Sequence, residues 1–231
     1  MKKTFENHGI SLSEKNAEQL ERYMEMLLSW NEKVNLTAIV DPDQIWVKHF
    51  LDSAMLGKFE ELRGKKVIDI GTGAGLPGLV LKIMDAESDV TLLDSLAKRI
   101  AFLDEVVEQL SLENAYTYHA RAEDGAHLED LRESFDIATS RAVARLNMLC
   151  EYCLPYVKVG GVFVAYKGRE YDEELKEAER AIEIFGAKLD RVEEFKLDSD
   201  NTRALIFIRK LSQTPLNYPR KPHVITKKPI M

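Results

Sequence analysis

At 231 residues the chain is long enough for one sizeable α/β domain with a full core and a small appendage. Its 45% apolar and 31% charged content is that of a soluble globular protein, and no window approaches the roughly 18 apolar residues of a membrane span. The net charge of −7 is uneven: residues 202–231 hold seven of the 32 basic residues and no acid, which leaves 25 bases against 39 acids, or −14, in the body.

Lys2 and Lys3 are followed by Thr4-Phe5-Glu6-Asn7-His8 rather than an apolar run, so no secretory signal is expected. Two cysteines and no export signal fit a cytoplasmic location. Ser11-Leu12-Ser13-Glu14 reads as a capping box, opening a helix with Ala17, Leu20, Met24, Leu27 and Leu28 on one face. Asp41 and Pro42 announce a second helix as N-cap and first residue. It carries His49, Asp52 and Ser53 at i, i+3 and i+4, hence on one face. The two helices form an N-terminal helical cap over residues 1–62.

From Lys65 onward strands at 66–70, 90–94, 115–118, 135–139 and 162–166 alternate with helices at about 77–84, 97–110, 144–154 and 170–185. The last helix has Leu175, Ala178, Ile182 and Phe185 on its core face and Gly186 as its stop. Two strand-like runs follow without a helix between them, about 187–197 and 203–210. Alternation ending in a hairpin implies an α/β domain over 63–210, with a seven-stranded, mostly parallel sheet and one antiparallel strand inserted late. Residues 211–231 contain Pro215, Pro219, Pro222 and Pro229 and should run extended as a basic tail. Arg220 and Lys221 in it are candidate phosphate contacts, and packing of the tail back on the sheet is the rival reading.

The first strand runs into Asp69-Ile70-Gly71-Thr72-Gly73-Ala74-Gly75-Leu76-Pro77-Gly78, a glycine turn that opens a helix. Residues 73–78 read G-x-G-x-x-G, but that pattern alone is weak, and Asp69 would repel a pyrophosphate at the helix N-terminus. S-adenosylmethionine has no phosphate and carries an ammonium and a cationic sulfur, so the D-x-G-x-G-x-G frame favours it over NAD. Asp94, 23 residues after Gly71 at the tip of the second strand, is placed to accept from ribose hydroxyls. The pocket residues expected from the motif to touch the cofactor are Asp69, Gly71, Gly73, Gly75 and Asp94, all upstream of the tail.

Three more segments end at the carboxyl edge of the sheet: Arg121-Ala122-Glu123, Ser140-Arg141-Ala142-Val143-Ala144-Arg145, and Lys167-Gly168. The fourth strand lacks the D/N-P-P-Y/F turn of enzymes that methylate exocyclic amines, which leaves a ring nitrogen or an oxygen as acceptor. Guanine N7 suits, because its in-plane lone pair needs no general base, and catalysis becomes positioning and desolvation. Arg141 and Lys167 are the candidate catalytic residues, with His49, Asp52, Ser53, Arg145, Arg220 and Lys221 placed on the substrate. Cys150 and Cys153 read C-x-x-C inside a helix with Leu146, Leu149 and Leu154, without the further ligands that zinc needs. They read as buried apolar side chains, and no metal is expected.

Taken together, these segments resemble the bacterial 16S rRNA guanine-N7 methyltransferase family, the small-subunit methyltransferase G family formerly called glucose-inhibited division protein B. The resemblance is carried by Trp30–Thr37, Lys48–Ser53, Asp69–Gly78, Asp94–Arg99, Arg121–Glu123, Ser140–Arg145, Lys167-Gly168, and the tail from Thr214-Pro215 to Tyr218-Pro219-Arg220-Lys221-Pro222. It implies a Rossmann-like fold, S-adenosylmethionine as cofactor, and N7 methylation of the guanine conventionally numbered 527 in 16S rRNA. It also implies cofactor contacts at Gly71, Leu76, Ala122, Glu123 and Arg141 and a partner in 16S rRNA or the small ribosomal subunit; a monomer is expected. One departure stands in the tail, where the family commonly continues K-P-G-x-P and this chain has His223-Val224-Ile225 after Pro222. The alternative is a non-enzymatic rRNA-binding assembly factor with a vestigial pocket.

Overall fold

Val67, Ile68 and Ile70 of β1 (Lys66–Ile70) are all fully buried, as expected of a central parallel strand covered on both faces. The computed structural model describes residues 2–231. The remaining strands are β2 (Asp89–Asp94), β3 (Ala115–His119), β4 (Phe135–Arg141), β5 (Val157–Gly168), β6 (Ala187–Lys196) and β7 (Thr202–Lys210). They form one seven-stranded sheet in the order β3-β2-β1-β4-β5-β7-β6. The pairs β1–β2, β1–β4, β2–β3 and β4–β5 are parallel, and β7 lies antiparallel between β5 and β6. The late inserted antiparallel strand is therefore where the alternation of elements put it.

Successive side chains along each strand feed two cores. Val67, Val90, Leu92, Ile137, Val164 and Phe207 face the N-terminal helices together with α6 (Gly78–Met84) and α7 (Ala97–Gln109). Ile68, Ile70, Ala138, Phe163, Ala165 and Ile206 face α9 (Leu146–Cys153) and α10 (Tyr171–Ile184). Cys150 and Cys153 are fully buried in this second core, where burial raises both thiol pKa values, so they act as small apolar side chains.

The N-terminal cap holds more than two helices. A short α1 (Lys2–Asn7), too brief to show a period, buries Phe5 edge-on against Trp46. In α2 (Glu14–Asn31) the N-cap is Ser13, whose Oγ accepts from the amide of Asn16 at 3.1 Å. The capping box expected from Ser11 does not form, because Leu12 turns into the core and the chain stays extended through Ser13. Asp41 and Pro42 do open the next helix, α3 (Pro42–Gln44), with Asp41 Oδ1 accepting from Gln44 N at 2.9 Å. It then widens into a π-helical stretch, Ile45–Leu51, before the short α4 (Asp52–Ala54) and α5 (Leu56–Phe59).

The tail does not run extended. Pro222 is the first residue of α11 (Pro222–Lys227), and Thr214, Ile225 and Ile230 are buried against the domain. Two apolar side chains with a core within reach outweigh the prolines' preference for an open strand. His223, which replaces the expected glycine, sits in this helix.

Candidate active site

The loop after β1 folds back on its own acid. Asp69 is fully buried, and its Oδ2 accepts from Thr72 Oγ1 at 2.6 Å and from the amide of Gly78 at 2.8 Å. It fixes the turn and occupies the first amide of α6, and it does not line the cleft beyond. Burial pushes its carboxyl pKa up to about 6, against the downward pull of those two hydrogen bonds. Gly75 also lies behind the wall, where a Cβ would collide with Leu79. Asp69 and Gly75, expected from the motif to touch a ligand, thus stand behind the cleft wall and support the loop, with Asp69 Oδ1 left unbonded.

The residues that do face the cleft are Gly71, Gly73, Leu76, Asp94, Ala122, Glu123 and Arg141, around a cavity of about 670 Å³. Gly71 is at φ +69°, and a Cβ there would come within 2.7 Å of Val143 across the cleft. Asp94 is 2% exposed: Oδ2 accepts from Gly73 N at 2.9 Å and Arg99 at 3.1 Å, and Oδ1 from Leu96 N at 2.9 Å. Glu123, in the short α8 (Ala122–Gly125) and 7% exposed, is the second carboxylate on the wall.

Part of the wall comes from where none was expected. Pro222 and Thr226 of α11 line the cleft beside Met148 and Tyr152 of α9. The tail is clamped by Arg220, whose Nε and Nη2 reach the two oxygens of Glu151 at 2.9 and 2.7 Å, while its backbone amide donates to Oε1 at 2.7 Å. Glu151 is 1% exposed, so Arg220 is spent on this ion pair rather than offered to phosphate. Lys221 next to it is exposed.

A second cavity of about 690 Å³ adjoins the first and shares His49, Arg141, Ala142, Val143 and Ala144 with it. Arg141 Nη1 donates to Asp52 Oδ2 at 2.9 Å and to the carbonyl of Lys48 at 3.0 Å, tying β4 to the cap. Ala142, between the two cavities, is held at φ +57°, a strained conformation for a residue with a Cβ. Lys167 Nζ donates to the carbonyl of Ala144 at 2.8 Å and to Glu174 at 2.6 Å, so its ammonium braces the same loop. His49 Nε2 lies 2.7 Å from Thr37 Oγ1, and burial together with the charge of Arg141 pushes its pKa down to about 4. Arg145 lines the cavity while reaching out to Glu177 at 2.9 Å. Ser53 faces neither cavity; its side chain is in the core and its carbonyl takes the Tyr166 hydroxyl at 2.7 Å. Of the expected common face, His49 and Asp52 share the second cavity, and Ser53 alone turns into the core.

The sheet order, the glycine turn and an acid at the tip of β2 together define the Rossmann-like fold of the S-adenosylmethionine-dependent methyltransferases. Solved structures agree on the fold: M. jannaschii TYW2 in complex with AdoMet superimposes with a TM-score of 0.56 at 15% identity, over 70% of this chain and 76% of that one. The branched-chain polyamine synthase of Thermus thermophilus (C9 mutein) gives 0.60 at 17% identity, over 86% of this chain and 66% of that one. Residues 16–206 match the family model for rRNA small subunit methyltransferase G. The ribosomal RNA small subunit methyltransferase G of Clostridium beijerinckii is 48% identical over 100% of this chain and 97% of its own length, and that of Clostridium perfringens (strain SM101) 47% over 100% and 97%. The chain belongs to the rRNA small subunit methyltransferase G family.

Thr37, Met148, Tyr152, Pro222 and Thr226 are among the cleft residues that pattern reading overlooked. Thr37 and Pro222 did fall within the segments carrying the family resemblance, which was their available signal.

Proposed function

We propose that this enzyme transfers a methyl group from S-adenosylmethionine to N7 of the guanine conventionally numbered 527 in 16S rRNA, acting as a monomer in the cytoplasm. The carrying observation is the pair of adjoining cavities that share Arg141 to Ala144 and His49. The first fits a nucleoside without phosphate. Its wall carries two buried carboxylates, Asp94 and Glu123, and the amide end of α6 that would receive a pyrophosphate is already taken by Asp69. Asp94 is placed to hold ribose hydroxyls, and Gly71, Leu76 and Ala122 the apolar walls. S-adenosylmethionine bound there supplies an electrophilic methyl on a sulfonium.

The second cavity receives the base. Although burial raises the pKa of Asp52, Arg141 holds its Oδ2, while the pKa of His49 is pushed down to about 4 and Lys167 is bonded to Glu174. That suits an acceptor that needs no proton removed, as guanine N7 does. Arg141 and Lys167 act by fixing the loop between donor and acceptor, which also excludes water from the gap. The test is mass mapping of methylated nucleosides in 16S rRNA with and without the protein; 7-methylguanosine at the target is expected, and a methyl at another atom refutes the reading. Single-turnover rates should stay nearly flat between about pH 6 and 8.5, because N7 is unprotonated throughout.

A further inference from the structure

We propose that Asp52 reads the target base, its free carboxylate oxygen accepting from the N1–H and 2-amino group of guanine in the second cavity. This deepens the guanine-N7 reading above and rests on it. Asp52 reaches the cavity wall from the N-terminal cap and is 3% exposed. One oxygen, Oδ2, is committed to Arg141 at 2.9 Å. The other, Oδ1, is buried without a hydrogen-bond partner; Arg203 Nε stands 3.8 Å away, beyond hydrogen-bonding reach. A buried acceptor left without a donor is unfavourable, and because Asp52 lines the second cavity a base seated there is placed to supply one.

A lone carboxylate oxygen accepts and never donates, which restricts the purines it tolerates. Guanine places its acceptors, N7 and O6, along one edge and its donors, N1–H and the 2-amino group, along the other. Its donor edge can therefore bind Asp52 while N7 stays free to react. Adenine has its amino group beside N7 and would present the N1 lone pair to Oδ1, acceptor against acceptor. The carboxylate thus selects for guanine at the edge remote from the reacting atom, where rejection of the wrong base is strongest because a buried polar group is left unpaired.

The test compares small ribosomal subunits carrying guanosine or inosine at the target, with S-adenosylmethionine and the full chain. Inosine retains N7, O6 and N1–H and lacks only the 2-amino group. Wild type should methylate inosine with kcat/KM lower by about tenfold or more, the loss of one charge-assisted hydrogen bond. In Asp52→Asn the Arg141 guanidinium holds the amide oxygen, so the amide NH₂ faces the base. Activity on guanosine should then fall by about tenfold or more and the guanosine-to-inosine ratio should collapse toward one, with S-adenosylmethionine binding retained. Equal rates on both bases in wild type would overturn the proposal without any variant. So would an Asp52→Asn enzyme slowed equally on both, which would make Asp52 only a brace for Arg141. A methyl mapped to a base other than guanine would refute the parent reading as well, whereas 7-methylguanosine with an unchanged ratio refutes this one alone.

Discussion

Asp94 and Asp69 are two buried acids 25 residues apart with opposite assignments. Asp94 lines the cleft, so Asp94→Ala should weaken S-adenosylmethionine binding by about 10- to 100-fold in calorimetry, from charge-assisted hydrogen bonds of roughly 1.5–3 kcal/mol each. Unchanged affinity would remove the ribose assignment. Asp69 shows itself in stability instead. Its folded pKa, about 6, lies above the usual carboxylate value, so between about pH 4 and 6 the native state binds the extra proton and stability falls as pH rises. Asp69→Asn removes that penalty: it should match wild type near pH 4 in urea denaturation and exceed it by about 3 kcal/mol near pH 7. His49 has the opposite sign. Its folded pKa of about 4 gives stability that is present above pH 6.5 and lost as pH falls toward 4, so the two residues partly cancel in wild type. Both acids were legible as strand-end carboxylates. That Asp69 bends back to Thr72 and Gly78 was not, because it depends on loop torsions that composition does not encode.

The elements divide in the same way. Strands and long helices announce themselves by period, and β7 pairs antiparallel with β6 as the missing crossover helix required. The π-helical stretch and the six-residue α11 carry no such period. The prolines of the tail read as an open strand, yet Pro222 serves as a helix start and Ile225 and Ile230 as anchors. The consequence is testable. Arg220→Ala leaves Glu151 buried and unpaired and should cost about 3–5 kcal/mol of stability, read from the urea midpoint. Truncation after Lys210 removes Pro222 and Thr226 from the cleft and should abolish S-adenosylmethionine binding, the reverse of what a solvated arm would give. A truncated chain that binds as tightly as the full one would show that the strap is dispensable.

For the whole molecule, charge remains divided although the tail is folded. The acidic body still carries a cationic patch in which Lys221, Lys227 and Lys228 are exposed. Replacing these three by alanine should leave the fold intact and reduce the slope of log affinity for 16S rRNA against log salt by about 2, at roughly 0.7 per phosphate contact. An unchanged slope would assign RNA attraction to other residues, such as Lys48 and Arg203 at the second cavity. The α11 strap also has a bearing on how the molecule comes into being. During synthesis Gly71 and Asp94 emerge well before Pro222 and Thr226. The sheet and glycine turn can form on a nascent polypeptide that still has one side of its pocket open. Cofactor capture is thereby tied to the docking of α11, so a chain whose strap is undocked holds an unfinished pocket.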